Sequence, residues 1–427
     1  MIVSPDWRGK RFAVLGLARS GAATVRALLA GGAEVVAWDS DAAKREALKD
    51  AALMFADPEA VDLAGFDGLI VSPGVPLNRH PIAAKARAAS IPIIGDIELF
   101  AQARSALPAQ KVVGITGTNG KSTTTALIHH ILQTAGIPSL MGGNIGLPIL
   151  AQKPLPEGGV YVLELSSYQI DLMHSLDCDV AVLLNITPDH LDRYDGFAGY
   201  AASKARLFAM QSPGHAAVIG IGDDASAAIA RSLAPETLTK ITSAPAIDQS
   251  RWPSLQGPHN AQNALAAITT CEALGVSDAA IEAGLASFTG LPHRMERVAT
   301  RNGVAFVNDS KATNPESTAP ALAAFDRIHW IVGGKAKGAD LDACRPHFGH
   351  VARAYTIGEA GPVFAALLRD TMPVEEAGTL AAAVASAAAN AQPGDTVLLS
   401  PACASFDQFR DFEQRGDVFR AAVEAFR

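Results

Sequence analysis

Chemistry in this chain begins with a lysine and a serine at the end of a glycine-rich loop. The run Lys111-Val-Val-Gly-Ile-Thr-Gly-Thr-Asn-Gly-Lys-Ser-Thr-Thr-Thr125 places an apolar segment before that loop and a second one, residues 126–132, after it. Glycines let backbone N–H groups approach an anion closely, and a helix N-terminus adds partial positive charge. Strand, loop, Lys-Ser and helix together predict a phosphate cradle, with Lys121 at the β- and γ-phosphates and Ser122 on a Mg²⁺. The spacing is a variant, because Ile115 stands where GxxxxGK[ST] requires its first glycine.

Further candidates follow in the same third of the chain. Glu164 interrupts the apolar run Tyr161-Val-Leu-Glu-Leu165. A carboxylate there costs free energy unless it is paired or bound to a metal, a structural ion pair being the alternative. His190 lies in the polar run Ile186-Thr-Pro-Asp-His-Leu-Asp-Arg-Tyr194, after the strand predicted over residues 180–185. If these strands are parallel with helical crossovers, their polar loops emerge at one edge of a sheet. Lys121, Ser122, Glu164 and His190 then group around a metal–phosphate site. Residues 141–146 read as a loop built for a ligand's close approach. Lys204 and Arg206, on a helix predicted over 199–210, read by composition as surface charges. Asn260 is a candidate cap for a helix over 261–274.

The flanking thirds carry elements of the same kind. Residues 11–39 predict a strand, the loop Gly16-Leu-Ala-Arg-Ser-Gly21, a helix over 22–30 and a strand ending at Asp39. Ala18 takes the middle glycine of GxGxxG, which favours a nucleotide other than NAD at this switch point. A strand over 68–71 runs into Ser72-Pro-Gly74, while Asp57, Asp62 and Lys44-Arg45-Glu46 read as solvated surface. In the last third, Gly290-Leu-Pro292 reads as a hinge. Strands over 304–307, 328–332 and 396–399 each end in a loop of Gly, Ser, Lys or Thr. Asn314-Pro315 suits the cap and first position of a helix, although Pro320 would kink it or delay its start. Residues 380–391 predict a helix stopped by Pro393-Gly394.

The expected fold is α/β in three domains, 1–98, 99–290 and 291–427, with a ligand cluster in the cleft between them. The 427 residues are 49% apolar and 18% charged, enough for large cores. A formal net charge of −8 argues against non-specific nucleic-acid binding. The N-terminus is too short and polar for a leader, and no apolar run is long enough for a membrane span. The four scattered cysteines form no CxxC, so a reduced cytoplasm is expected. Separately, a monomer is expected.

Taken together, these segments resemble the Mur ligase family almost end to end. The resemblance rests on Gly-Ile-Thr-Gly-Thr-Asn-Gly-Lys-Ser-Thr123, Gly142-Gly-Asn-Ile-Gly146, Leu163-Glu-Leu-Ser-Ser-Tyr168, residues 185–194, His259-Asn260 and Gly290-Leu-Pro-His-Arg294. The resemblance continues over residues 308–314 and 400–409, of which 308–314 and 400–405 resemble the members that add D-glutamate. The resemblance implies a Rossmann-like N-terminal domain, a P-loop-type central ATPase domain and a Rossmann-like C-terminal domain. It implies ATP-dependent amide synthesis in peptidoglycan assembly. The carboxylate of UDP-N-acetylmuramoyl-L-alanine takes the γ-phosphoryl of ATP, and the amine of D-glutamate attacks the acyl phosphate.

Carried over by position, the resemblance assigns Gly117, Thr118, Asn119, Gly120, Lys121, Ser122, Thr123, Asn260, Arg294 and Asp309 to ATP. It assigns Ser122, Glu164, His190 and a carbamylated Lys204 to two Mg²⁺ ions. Arg19, Ser20, Asp39, Ser40, Gly74 and Asn144 fall to the UDP substrate. Thr313, Lys337, Ser405, Phe406 and Phe412 fall to D-glutamate, with Lys311 joining the catalytic set of Lys121, His190 and Lys204. The rival readings are a folylpolyglutamate-type ligase or another Mur ligase, a nucleotide switch without amide chemistry, and an NAD dehydrogenase.

Overall fold

The computed structural model describes residues 1–48, 53–242, 247–336, 338 and 340–425. Among these, the strands form three sheets, built largely from short apolar runs buried along their length. Such runs suit parallel strands covered by helices on both faces.

The first sheet comprises β1 (Arg11–Leu15), β2 (Glu34–Trp38), β3 (Met54–Phe55), β4 (Gly68–Val71) and β5 (Ile93–Ile94), in the order β3-β2-β1-β4-β5. All its pairings are parallel. The helix after β1 spans Arg19–Ala30, beginning three residues before the expected start. It does so because the chain turns tightly at Gly16 and Gly21 lets the first turn of the helix pack directly on that turn. A Cβ on Gly21 would lie 1.9 Å from the Gly16 carbonyl oxygen, so only glycine lets this helix seat against the loop.

The second sheet comprises β6 (Lys111–Thr116), β7 (Ser139–Gly143), β8 (Val160–Glu164), β9 (Val180–Leu183), β10 (Ala216–Gly220) and β11 (Leu238–Ile241). Its order is β11-β10-β9-β6-β8-β7, again all parallel. β9, β6 and β8 are therefore adjacent, and their three polar loops do leave one edge together. Residues 139–143 are an edge strand, not the loop expected from Met141 onward. The loop begins at Asn144, whose N–H donates to the Glu164 carbonyl at 2.8 Å. The helix Asp96–Ala103 is pinned by buried Glu98. That carboxylate accepts from the His174 N–H (2.7 Å), the Ser175 N–H (2.9 Å) and the Ser175 hydroxyl (2.7 Å).

The third sheet comprises β12 (Glu296–Arg301), β13 (Val304–Asn308), β14 (Ile328–Gly333), β15 (Val351–Ile357), β16 (Val374–Gly378) and β17 (Thr396–Leu399), in the order β12-β13-β17-β14-β15-β16. β12 and β13 pair antiparallel through Asn302 and Gly303, both with positive φ, which is the preferred two-residue hairpin turn. The other pairings are parallel. Asn314 caps the helix Pro315–Leu322 as expected, and Pro320 lies inside it, two residues before its end. The helix expected over 261–274 instead spans Pro258–Ala273, so Asn260 lies within its first turn rather than at its cap.

By its internal contacts the chain divides into two compact units. One comprises Met1–Ser243 with Leu265–Gly284 and holds the first two sheets. The other comprises Ala244–Ala264 with Leu285–Arg427 and holds the third. No helix among the described residues is long and apolar enough to cross a membrane.

Candidate functional site

In the first unit, the loop after β6 is drawn tightly around its own backbone. Gly117 and Gly120 have φ of 151° and 85°, and Gly120 immediately precedes the helix Lys121–Thr134. Lys121 Nζ donates to the carbonyls of Gly117 (2.9 Å) and Thr118 (2.8 Å). Asn185, just beyond β9, braces the loop reciprocally. Its Oδ1 accepts the Asn119 N–H at 2.9 Å and its Nδ2 donates to the Asn119 carbonyl at 3.2 Å. Asn185 was legible only as part of a family motif, not as a residue with a role.

Two neutral donors hold Glu164. Its Oε2 accepts the Ser122 hydroxyl and its Oε1 accepts Asn144 Nδ2 at 2.8 Å. A serine hydroxyl beside a buried carboxylate is a hard oxygen pair of the kind Mg²⁺ takes. Among the described residues, no group of three or more His, Cys, Asp or Glu could hold a metal ion by itself. Oxygens from the ligand or a modified lysine would have to complete the coordination.

Lys204 is a buried residue, not the surface charge that composition suggested. Its Nζ donates to the Gly117 carbonyl at 2.9 Å and the Thr116 hydroxyl at 3.3 Å, and lies 4.7 Å from the centre of the Tyr200 ring. Burial, reinforced by the nearby Lys121 charge, pushes its pKa well below the usual lysine value. Tyr200 ties the cluster together, and the sequence reading missed it. Its hydroxyl is 3.2 Å from Thr118 Oγ1 and its ring lies 6.4 Å from the His190 ring. His190 itself has φ of 54°, a left-handed conformation uncommon outside glycine, and its ring lies 4.9 Å from that of Tyr168. The fold thus brings together Gly117, Thr118, Asn119, Gly120, Lys121, Ser122, Glu164, Lys204 and His190. Thr123 follows in the first turn of the helix.

A cavity of about 520 Å³ opens beyond β1, β2 and β4. Asp39, Ser40 and Gly74 line it, and so do Lys44, Asp57 and His80. In the sequence Lys44 and Asp57 read as plain surface, since sequence distance gives no hint that residues 44, 57 and 80 meet. Lys44 Nζ lies 3.5 Å from Asp39 Oδ2. Burial alone would raise the Asp39 pKa. The N–H groups of Leu17 and Asp41, together with Lys44, outweigh that effect and hold it below the usual carboxylate value. Arg19 reaches away from the cavity to the Gly146 carbonyl at 2.9 Å, joining the first helix to the Asn144 loop. Ser20 lies in the first turn of the same helix.

In the second unit, the loops after β13 and β17 are stitched together. Arg415, fully buried, donates to the Ser310 hydroxyl and carbonyl at 2.9 and 2.7 Å and to the Cys403 carbonyl at 3.0 Å. Asp309 is pushed up to about 7 by burial, against the lowering effect of the Ser400 hydroxyl 2.7 Å away. Lys311 Nζ lies 3.9 Å from the centre of the Phe412 ring. Ser405 is buried, Thr313 and Arg294 are half-buried, and Phe406 is 70% exposed. Asn260, buried in the same unit, donates to the Gln256 carbonyl at 3.0 Å. Lys337 lies outside the described residues.

Three family models match the chain. They are a Mur ligase MurD-like N-terminal domain over residues 10–95, the Mur ligase middle domain over 115–253, and the Mur ligase glutamate ligase domain over 293–403. Curated relatives named UDP-N-acetylmuramoylalanine–D-glutamate ligase include one from Novosphingobium aromaticivorans, 64% identical over all of this chain and 97% of its own length. Another, from Zymomonas mobilis, is 57% identical over the full length of both. Solved structures share the fold at low identity. UDP-N-acetylmuramate–alanine ligase from Thermotoga maritima has a TM-score of 0.60 at 16% identity, covering 98% of this chain and all of its own. A D-alanyl-D-alanyl-adding ligase from Acinetobacter baumannii has a TM-score of 0.59 at 18% identity, covering 99% of this chain and 92% of its own. The sheets, the phosphate loop and these matches lead to one conclusion: the chain belongs to the Mur ligase family.

Proposed function

We propose that this protein is a cytoplasmic, monomeric ligase that joins D-glutamate to UDP-N-acetylmuramoyl-L-alanine at the expense of ATP, in peptidoglycan synthesis. The observation that carries the reading is the cluster of Lys121, Ser122, Glu164, Lys204 and His190 around one phosphate loop. Relatives bearing that activity in their name match the chain from end to end.

A carboxylate is a poor electrophile, and its charge repels both a nucleotide and an incoming amino acid. Phosphorylation supplies a leaving group, and fixed positive charge offsets the repulsion. The loop N–H groups of residues 117–123 and Lys121 bind the β- and γ-phosphates, while Asn260, Arg294 and Asp309 bind the rest of the nucleotide. Mg²⁺, when bound, neutralises phosphate charge as it forms. Ser122 and Glu164 would hold one ion, and His190 with a carbamylated Lys204 the other. Burial of Lys204 favours its neutral amine, the form that reacts with CO₂, and the product is a carboxylate-like ligand. The cavity lined by Asp39, Ser40 and Gly74 takes the uridine nucleotide, with Arg19 and Ser20 at its helix and Asn144 towards the sugar and acyl group. Lys311, Thr313, Lys337, Ser405, Phe406 and Phe412 hold D-glutamate.

Phosphate release is the test. It should require ATP, Mg²⁺, UDP-N-acetylmuramoyl-L-alanine and D-glutamate together, and produce the D-glutamyl amide by mass spectrometry. Equal turnover of L-glutamate, or of a folate acceptor, overturns the reading.

A further inference from the structure

Resting on that reading, we propose that Arg193 is a positioning residue holding the wall of the uridine-nucleotide cavity and the His190 turn in one fixed register. Its guanidinium donates to three consecutive carbonyls of the turn after β4: Pro73 at 3.3 Å, Gly74 at 3.2 Å and Val75 at 2.8 Å. Gly74 and Val75 both line the cavity. The same guanidinium lies over the Tyr168 ring, its carbon 4.3 Å from the ring centre, and that ring lies 4.9 Å from His190. The Arg193 N–H donates to the His190 carbonyl at 2.9 Å, closing the turn that keeps His190 at positive φ. Outside this contact, Asn78 and Arg79 donate to the Asp192 carbonyl at 3.1 and 3.0 Å, so the two loops meet along a seam.

The arrangement needs an arginine. A planar fork with several N–H donors can serve three carbonyls and stack on an aromatic face at once. An ammonium on a flexible stem cannot do both. Loss of the fork frees the Ser72–Val75 turn and the His190 turn together, and the two ligands they serve should weaken together.

The test compares wild type with Arg193→Ala and Arg193→Lys, the second preserving charge and stem in case the first folds poorly. Binding of UDP-N-acetylmuramoyl-L-alanine is titrated calorimetrically in EDTA without ATP. The Mg²⁺ concentration for half-maximal phosphate release and the thermal midpoint are measured alongside. Both variants should bind the uridine nucleotide roughly tenfold more weakly, as loss of charge-assisted hydrogen bonds predicts. Both should also need several-fold more Mg²⁺. A role limited to stability would lower the thermal midpoint and leave both constants unchanged, which overturns the inference, as does full rescue by lysine. A wild type that does not bind the uridine nucleotide overturns the proposed function as well. A wild type that binds it alongside unaltered variants overturns the role of Arg193 alone.

Discussion

Lys204 shows how burial changes what a residue can do. The sequence presents it as one cation among several on a helix, and the fold places its amine against Gly117 and Thr116 with almost no exposure. If its carbamate is a metal ligand, Lys204→Ala should lower kcat by about 10²–10³, the scale of losing one preorganised electrostatic group. Added acetate should restore part of the rate by supplying the missing carboxylate. Steady-state kinetics with and without acetate checks this, and full activity without it counts against the carbamate. Asp96 makes a prediction of a different kind, about stability. It is buried at the start of the helix Asp96–Ala103, its Oδ1 has no hydrogen-bond partner among the described residues, and burial raises its pKa to about 6. That lies above the ordinary aspartate value of 3.8. Between about pH 4 and 6, therefore, the folded state holds the extra proton, and this group's contribution to stability is lost as pH rises through that window. The full effect is on the order of 2–3 kcal/mol. Asp96→Asn should flatten the fall, as read from urea midpoints across that range.

At the level of elements, apolar runs bounded by Gly, Pro and Asn located the central strands well, because a strand buried on both faces has little choice of composition. β1, β2, β4 and β17 begin and end where those runs do. Edge elements were harder. β7 looked like a ligand loop because Met141-Gly-Gly143 has too few side chains to signal a strand. β12 carries no apolar run, and its local sign is Asn302-Gly303, a strong hairpin signal. The start of the helix Arg19–Ala30 is hidden in the sequence because Gly21 reads as a loop residue, when its role is to let helix and loop touch. Gly21→Ala tests that role. A Cβ 1.9 Å from a backbone carbonyl must displace the helix. The variant should lose roughly 1–3 kcal/mol of stability, the usual cost of overpacking. It should also raise KM for the uridine nucleotide more than KM for ATP. Thermal melts with paired KM measurements decide this, and equal shifts in the two KM values would remove the link to the cavity.

For the whole molecule, the proposed ligands divide between the units. The cavity beside Asp39 belongs to the first unit, while Arg415 fixes the Lys311 and Ser405 loops within the second. UDP-N-acetylmuramoyl-L-alanine added without ATP should therefore protect amides in residues 15–80 from hydrogen exchange. It should leave residues 304–310 and 396–405 unprotected. Protection confined to the second unit would relocate the uridine site. The sequence alone determined the central strands of each third, the phosphate loop and the family, because local spacing and backbone chemistry write those features into contiguous residues. Tertiary structure alone decided that Lys204 is buried, that Lys44, Asp57 and His80 share a cavity, and that Tyr200, Arg193 and Arg415 hold the loops in place. Those facts depend on residues far apart in the chain, and contacts between them exist only once the sheets have packed.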